Sequence, residues 1–322
     1  MQYRQLGKWG AKLSVVGLGS YLTIGLKLDQ QQSWETVKAA YDLGINFFDT
    51  ADAYNIGESE RVIGNCLREF PRNSYFLITK VHAAMGPGPN DAGLSKKHVF
   101  EGCDASLKRL GLDYVDLYMC HRPDPATPLE ETVRAMEDLA RAGKILYWGV
   151  SEWPAEMMVE ANAIARAIGA RPIAVNEPRY SLMYRYPERS VFPTTLQQGI
   201  GNVTFSSLAH GMLTGKYKPG EPIPEGTRGA DDKTNMVLNM MYMTEENKAK
   251  SQEFARIAGD LGATPATLSL AWCLRLPAVT STIIGATKAA QIEENVKAAD
   301  LKIPDDVLKK LDELFPMPQF GL

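Results

Sequence analysis

The chain has 322 residues, of which 45% are hydrophobic and 23% charged, with a formal net charge of −3. This length and apolar content supply a large core and suit one α/β barrel as well as two smaller domains. The slightly acidic balance excludes a basic field that would take nucleic acid as partner, and no apolar run reaches the roughly 20 residues of a membrane helix.

Residues 2–13 precede the first strand and are expected to form a hairpin across a barrel floor. Residues 15–18 read as a strand ending in Gly19-Ser20, and residues 33–43 as a helix stopped by Gly44. Strands follow at 46–49, 75–80, 114–120, 145–150, 173–177, 202–205 and 282–284. Between them, 61–70 carries Val62, Ile63, Cys66, Leu67 and Phe70 on one helical face. Residues 95–110 read as a helix capped by Ser95 and stopped by Gly111, and 154–168 as another stopped by Gly169. Thr127-Pro128-Leu129-Glu130 reads as a capping box with proline at the first helical position. Residues 244–276 hold two helical patterns in a row, the second capped by Thr264-Pro265, so one of them is an extra helix. The Gly- and Pro-containing stretch 216–243 is long for a connection and reads as a functional loop. Strand–helix alternation demands a parallel sheet, and eight units close into a (β/α)8 TIM barrel with an N-terminal hairpin and extra C-terminal helices, over one domain of residues 1–322. A doubly wound open sheet is the alternative.

Cys66, Cys103, Cys120 and Cys273 lack metal-ligand or C-x-x-C spacing, and the four histidines add none. Reduced thiols, no metal and a cytoplasmic location are the expectation.

Barrel chemistry sits at the C-terminal strand ends. Those ends carry Asp49 with Tyr54 just beyond, Lys80, His121, Ser151, and Asn176 with Glu177. Taken singly, Asp49 reads as a helix cap, Tyr54 as a buried loop aromatic, Lys80 as a solvated strand end and His121 as a satisfied core histidine. Together they form a proton-transfer device. An ammonium makes a nearby phenol easier to deprotonate, a carboxylate fixes the ammonium, and a neutral imidazole donates to a carbonyl oxygen.

The segments Gly44-Ile45-Asn46-Phe47-Phe48-Asp49-Thr50-Ala51-Asp52-Ala53-Tyr54 and Gly57-Glu58-Ser59-Glu60 resemble the N-terminal motif of the aldo-keto reductases. Asp116-Leu117-Tyr118-Met119-Cys120-His121-Arg122-Pro123-Asp124, Gly149-Val150-Ser151, Gly215-Lys216-Tyr217 and Ile284-Gly285-Ala286-Thr287 are similar to later motifs of that family. Ser20-Tyr21-Leu22-Thr23, Arg122-Pro123-Asp124-Pro125 and Ala271-Trp272-Cys273-Leu274-Arg275 resemble the branch containing the β subunits of voltage-gated potassium channels. The resemblance implies that Tyr54 donates the proton, Lys80 tunes it, Asp49 pairs with Lys80 and His121 orients the carbonyl. It implies NADP(H) as cofactor. Ser20 and Tyr21 would lie at the cofactor site, and Ser151, Asn176 and Glu177 at the carboxamide. Phe205 would lie on the nicotinamide, with Ser206, Leu208, Gly211 and Lys216 along the pyrophosphate. Gly285, Thr287, Lys288, Gln291, Glu294 and Asn295 would lie toward the adenosine end, with Arg228 as a clamp. Two positions depart from the family pattern: Glu177 replaces a usual glutamine, and Ser207 a common proline.

Gly17-Leu18-Gly19-Ser20 lacks the third glycine of a dinucleotide fingerprint, so the cofactor would be held without a Rossmann turn. Lys216, Arg228 and Lys288 are cations available for a 2′-phosphate, which favours NADP over NAD. Tyr21, His82, Met85, Trp153 and Tyr180 are candidates for the pocket of a small carbonyl substrate, with the Met-rich stretch 236–243 expected chiefly to pack. Three functions compete: a carbonyl reductase, a cofactor-holding sensor subunit, and a barrel enzyme for a phosphorylated substrate. The resemblance implies asparagine in the channel subunits where this chain has His121, which favours the catalyst. It also points to a homo-oligomer.

Overall fold

Short runs rich in β-branched and aromatic residues, punctuated by Gly, become the strands. In the computed structural model, which describes residues 1–317, β1 (Tyr3–Gln5) and β2 (Lys12–Ser14) form an antiparallel hairpin. Eight further strands are β3 (Val16–Gly19), β4 (Phe47–Asp49), β5 (Phe76–Val81), β6 (Val115–Cys120), β7 (Ile145–Ser151), β8 (Val175–Glu177), β9 (Gly201–Thr204) and β10 (Val279–Ile284). They close into a barrel in the order β10-β3-β4-β5-β6-β7-β8-β9, every neighbour parallel. This is the expected (β/α)8 barrel with its hairpin.

Parallel pairing requires crossovers, and helices supply them. They are α1 (Gln30–Asp42), α2 (Glu58–Leu67), α3 (Lys96–Leu110), α4 (Leu129–Arg141), α5 (Ala155–Ala167) and α6 (Val191–Gln198). Between β9 and β10 run α7 (Met236–Met241), α8 (Glu245–Asp260) and α9 (Pro265–Leu274), and α10 (Ala289–Asn295) and α11 (Asp305–Leu314) follow the barrel. Thr264 caps α9 by accepting from the Thr267 amide, with Pro265 in the first turn, as the sequence predicts. Ser95 caps α3 by accepting from the His98 amide, and Gly111 ends that helix at φ +68°. The capping box predicted at Thr127 does not form. Pro128 takes the N-cap position, and the Thr127 hydroxyl donates instead to Asp124 Oδ2 at 2.7 Å. Asp124 also accepts from the Leu94 and Ala126 amides, so it organises that loop and takes the hydroxyl away from the helix.

The barrel interior is a separate apolar cluster. Leu6 and Leu13 of the hairpin pack there with Phe47, Phe76, Ile78, Leu117, Met119, Ala174, Val175 and Val203. The hairpin therefore plugs the N-terminal end. Each large side chain so buried contributes about 1.5–3 kcal/mol relative to exposure. Gly7 makes the plug fit: its φ is +54°, and a Cβ there would stand 2.4 Å from the Gly199 carbonyl oxygen. No helix among the described residues is long and apolar enough to cross a membrane.

Candidate active site

Side chains along a strand alternate faces, so one residue in two points into the barrel. Phe47, Ile78, Met119, Val175 and Val203 belong to the inner cluster. The next inward positions toward the C-terminal end are then Asp49, Lys80, His121, Glu177 and Phe205. Gly19, Ser151 and Ile283 hold the corresponding places on β3, β7 and β10. The polar site is thus the top layer of the barrel packing, with apolar residues beneath it.

Lys80 is fully buried and lies at its centre. Its ammonium donates to Asp49 Oδ1, to the Thr50 carbonyl at 3.2 Å and to the Tyr54 hydroxyl at 3.3 Å. Those three bonds exhaust its donors. Glu177 Oε2 is 3.4 Å away as an ion-pair neighbour, without a hydrogen-bond partner. Burial alone pulls the Lys80 pKa down, but Asp49 and Glu177 outweigh it, so the ammonium stays charged. Burial raises the Asp49 carboxyl against the opposing pull of Lys80. Burial first and Asp49 second push Glu177 up to about 8.

The phenol runs against one expectation. Lys80 does pull the Tyr54 pKa down, but burial outweighs it and the net shift is upward. Tyr54 therefore keeps its proton. Because Lys80 donates to the phenolic oxygen, the Tyr54 hydrogen is left to point elsewhere. The Tyr54 ring packs edge-on to His121 at 5.7 Å and tilted against Tyr21 at 5.0 Å. Burial, then Lys80 and Arg122, hold His121 well below its usual pKa, so its imidazole is neutral.

Asp49, Tyr54 and His121 open onto a cavity of about 930 Å³, at the upper end of the usual size for ligand sites. Its walls continue past Ser151, Glu177, Phe205, Ser206, Leu208 and Gly211 to Lys216, Arg228, Gly285 and Thr287, ending at Gln291, Glu294 and Asn295. Tyr21 also lines it. The segment after β9 is strained: Ser206, Ala209 and His210 have φ of 58°, 46° and 56°. Non-glycine residues in that region cost about 1–3 kcal/mol each and gather at functional sites. Arg228 Nη1 is 3.2 Å from His210 Nδ1, and Ser206 Oγ is 3.0 Å from His210 Nε2. A guanidinium only donates. His210 therefore accepts at Nδ1 and donates from Nε2 to Ser206, neutral with a pKa pulled down to about 3 by burial and by Arg228. Lys27 and Asp231, 2.6 Å apart, tie the loop after β3 to the 216–243 stretch.

Several expected residues lie elsewhere. Asn176 is adjacent to Glu177 and so faces out of the barrel, donating to Asn202 at 3.3 Å. Ser20 is buried behind the wall, donating to the Thr50 hydroxyl at 2.9 Å. Lys288 is exposed at the start of α10 and does not reach the wall. Trp153 is buried in the core. Tyr180 stacks on Trp272 at 5.1 Å with its hydroxyl donating to Glu188 at 2.7 Å, so it packs and does not line the cavity. His82 and Met85 belong to a loop beyond β5 that is held by Gly93 and Asp91, and neither reaches the cavity. The Met-rich helix α7 buries Leu238, sets Val237 on the cavity wall and leaves Met236 and Met240 about 70% and 74% exposed. Sequence reasoning missed Arg122, Arg179, His210 and the 264–266 turn, all on the wall. Arg122 follows His121 directly and donates to Ser151 Oγ at 3.3 Å, a place its sequence position would have suggested.

All four cysteines are free and buried. Among the described residues no three His, Cys, Asp or Glu side chains converge as metal ligands.

Residues 15–315 match the family model described as the aldo/keto reductase family. The chain is 42% identical over 322 aligned residues to a protein of Schizosaccharomyces pombe named putative voltage-gated potassium channel subunit beta, covering 97% of this chain and 92% of the relative. It is 41% identical over 319 residues to an Arabidopsis thaliana protein named probable voltage-gated potassium channel subunit beta, covering 98% and 96%. A rice protein of the same name, from Oryza sativa subsp. japonica, is 41% identical over 304 residues, covering 94% and 92%.

Proposed function

The chain belongs to the aldo/keto reductase family, and from that premise we propose that it reduces an aldehyde or ketone to the alcohol using NADPH. The observation that carries this reading is the Tyr54 hydroxyl, 3.3 Å from a buried Lys80 that is itself paired with Asp49, at the wall of the large cavity. When bound, the cofactor supplies hydride. Tyr54 supplies the proton to the developing alkoxide. Its raised pKa keeps the proton on the phenol until then, and the adjacent ammonium stabilises the phenolate left behind. Asp49 holds Lys80 in place and charged. The neutral His121 donates a hydrogen bond to the substrate carbonyl and orients it.

The residues present fit a nicotinamide dinucleotide. Glu177 Oε2 is a buried, unpartnered polar atom at the cavity wall. Ser151 and Glu177 would take the carboxamide and Phe205 the ring. Ser206, Leu208, Gly211 and Lys216 would follow the diphosphate. Gly285, Thr287, Gln291, Glu294 and Asn295 would hold the adenosine end. Lys216 and Arg228 put positive charge on that part of the wall, which suits a 2′-phosphate and so NADPH over NADH. Equal dissociation constants for NADPH and NADH would defeat that preference. The four buried thiols fit a reducing, cytoplasmic setting.

The test is loss of NADPH absorbance with a panel of aldehydes. Tyr54→Phe should reduce turnover by about 100-fold or more while leaving NADPH affinity close to wild type. A variant retaining most of its activity would remove Tyr54 from this role.

The relatives are named potassium channel β subunits, which favours a second reading, a regulatory subunit; on this reading the chain holds the cofactor with little turnover. Tight NADPH binding with no turnover on any aldehyde would support it over the first.

A further inference from the structure

Three ionisable side chains share the buried centre of the site, and their charges do not balance. Asp49, Lys80 and Glu177 are each at most 3% exposed. One ammonium faces two carboxyl groups, and its three hydrogens go to Asp49, Thr50 and Tyr54. Glu177 is left with a buried oxygen that accepts no hydrogen bond from the chain, with the Lys80 ammonium 3.4 Å away. A buried carboxylate oxygen beside a second carboxylate is costly, and the pair relieves it by keeping one proton.

We propose that Glu177 is the residue that sets which redox form of the nicotinamide cofactor the site prefers, by carrying a proton that it exchanges with solvent. The proposal rests on the reductase reading above. Protonated, Glu177 has the shape of a glutamine amide, with one hydroxyl to donate and one carbonyl to accept. In that form it can hold either redox form through the carboxamide. Ionised, it loses the donor and places a negative charge at the nicotinamide end of the cavity. That charge attracts the cationic ring of NADP+ and gains nothing from the uncharged dihydropyridine ring of NADPH.

The charged and titratable groups facing Glu177 are Asp49 from β4, Tyr54 from the loop after it, Lys80 from β5 and Arg122 beyond β6. Tyr54 stays protonated, while Lys80 and Arg122 stay charged. The inward residues of β7 and β9, Ser151 and Phe205, carry no charge. The remaining exchangeable proton belongs to the Asp49–Glu177 pair. Asp49 has the direct ammonium contact, which leaves the proton on Glu177. Burial and Asp49 together bring its titration to about 8.

The experiment measures the dissociation constants of NADP+ and NADPH by calorimetry from pH 6 to 9.5, for the wild type and for Glu177→Gln. In the wild type the ratio Kd(NADPH)/Kd(NADP+) should rise with pH by about tenfold or more. A tenfold preference corresponds to a difference of one pH unit in the titration of Glu177 between the two complexes. Contributions from the phosphates are common to both ligands and cancel in the ratio. Glu177→Gln should bind both forms with a ratio that does not change with pH. Repeating the wild-type titration near pH 8 in buffers of different ionisation enthalpy counts protons directly, and this measurement decides the matter if the variant does not fold. NADP+ should release more protons than NADPH. A flat wild-type ratio, equal proton counts, or an unchanged slope in Glu177→Gln overturns the proposal and leaves the reductase reading standing. Failure to bind either dinucleotide at any pH overturns both.

Discussion

Removing the ammonium at the centre of the site tests the electrostatic argument most directly. Lys80→Met keeps the length and apolar stem of the side chain and deletes the charge. Lys80 neutralises Asp49 through direct contact, while Glu177, 3.4 Å away, keeps its proton at pH 7. Breaking a buried pair by deleting one partner typically costs about 3–5 kcal/mol, because the remaining charge is stranded. The variant should lose stability of that order at pH 7, read from urea midpoints at constant m value. The pH dependence follows from linkage. Burial already holds both carboxyls above their unfolded values of about 4, and without Lys80 they rise further. They then destabilise the fold above that range, and the penalty fades as pH falls and they protonate. The gap between variant and wild type should therefore shrink from pH 7 to pH 4.5. Turnover should fall by about 100-fold or more, since the phenolate of Tyr54 would have no cation beside it. A variant as stable as wild type at pH 7, with a gap independent of pH, would refute the claim that Lys80 holds a buried carboxylate at Asp49.

A second carboxylate tests the same physics away from the cavity. Asp52 is fully buried with both oxygens unpartnered, and burial, then Glu60, push it up to about 7. Its folded pKa lies above the unfolded value, so it lowers stability progressively as pH rises from about 4 to 7. Asp52→Asn should stabilise the protein by about 1–3 kcal/mol at pH 8 and flatten that slope in denaturation midpoints; an unchanged slope would count against the assignment. At the barrel floor, Gly7→Ala combines a positive φ with a Cβ 2.4 Å from a carbonyl oxygen. It should cost about 1–3 kcal/mol in stability while kcat on a reducible aldehyde stays within twofold, since the site is at the opposite end of the barrel.

The sequence shows the barrel clearly because short strands alternate with helical patterns, several of them ended by a glycine stop. It shows less of the helices that depend on tertiary packing. α6 carries Pro193 in its first turn, where no amide donor is needed, and its apolar positions are too few to mark a period. In the site, Asp49, Lys80 and His121 are legible because each stands at a strand end. Sequence position alone does not separate Asn176 from Glu177. The choice depends on which residue continues the inward series through Val175, and that is a matter of register. Trp153 and Tyr180 show the opposite error. Large aromatics near strand ends resemble pocket walls in the sequence, but the helices fold over them and they become core. The Tyr54 pKa depends on burial, which the motif does not encode.

The alternation that stacks polar groups above apolar ones also makes the chemistry sensitive to frame. Each strand contributes one residue to the uppermost tier, and its immediate neighbours face the surrounding helices. Inserting or deleting a single residue within β5 or β8 would turn Lys80 or Glu177 through half a revolution and bury a charge among alkyl groups. A change of the same length in the connecting turns would leave every strand in frame. Length variation in this protein is therefore tolerable between strands and ruinous within them.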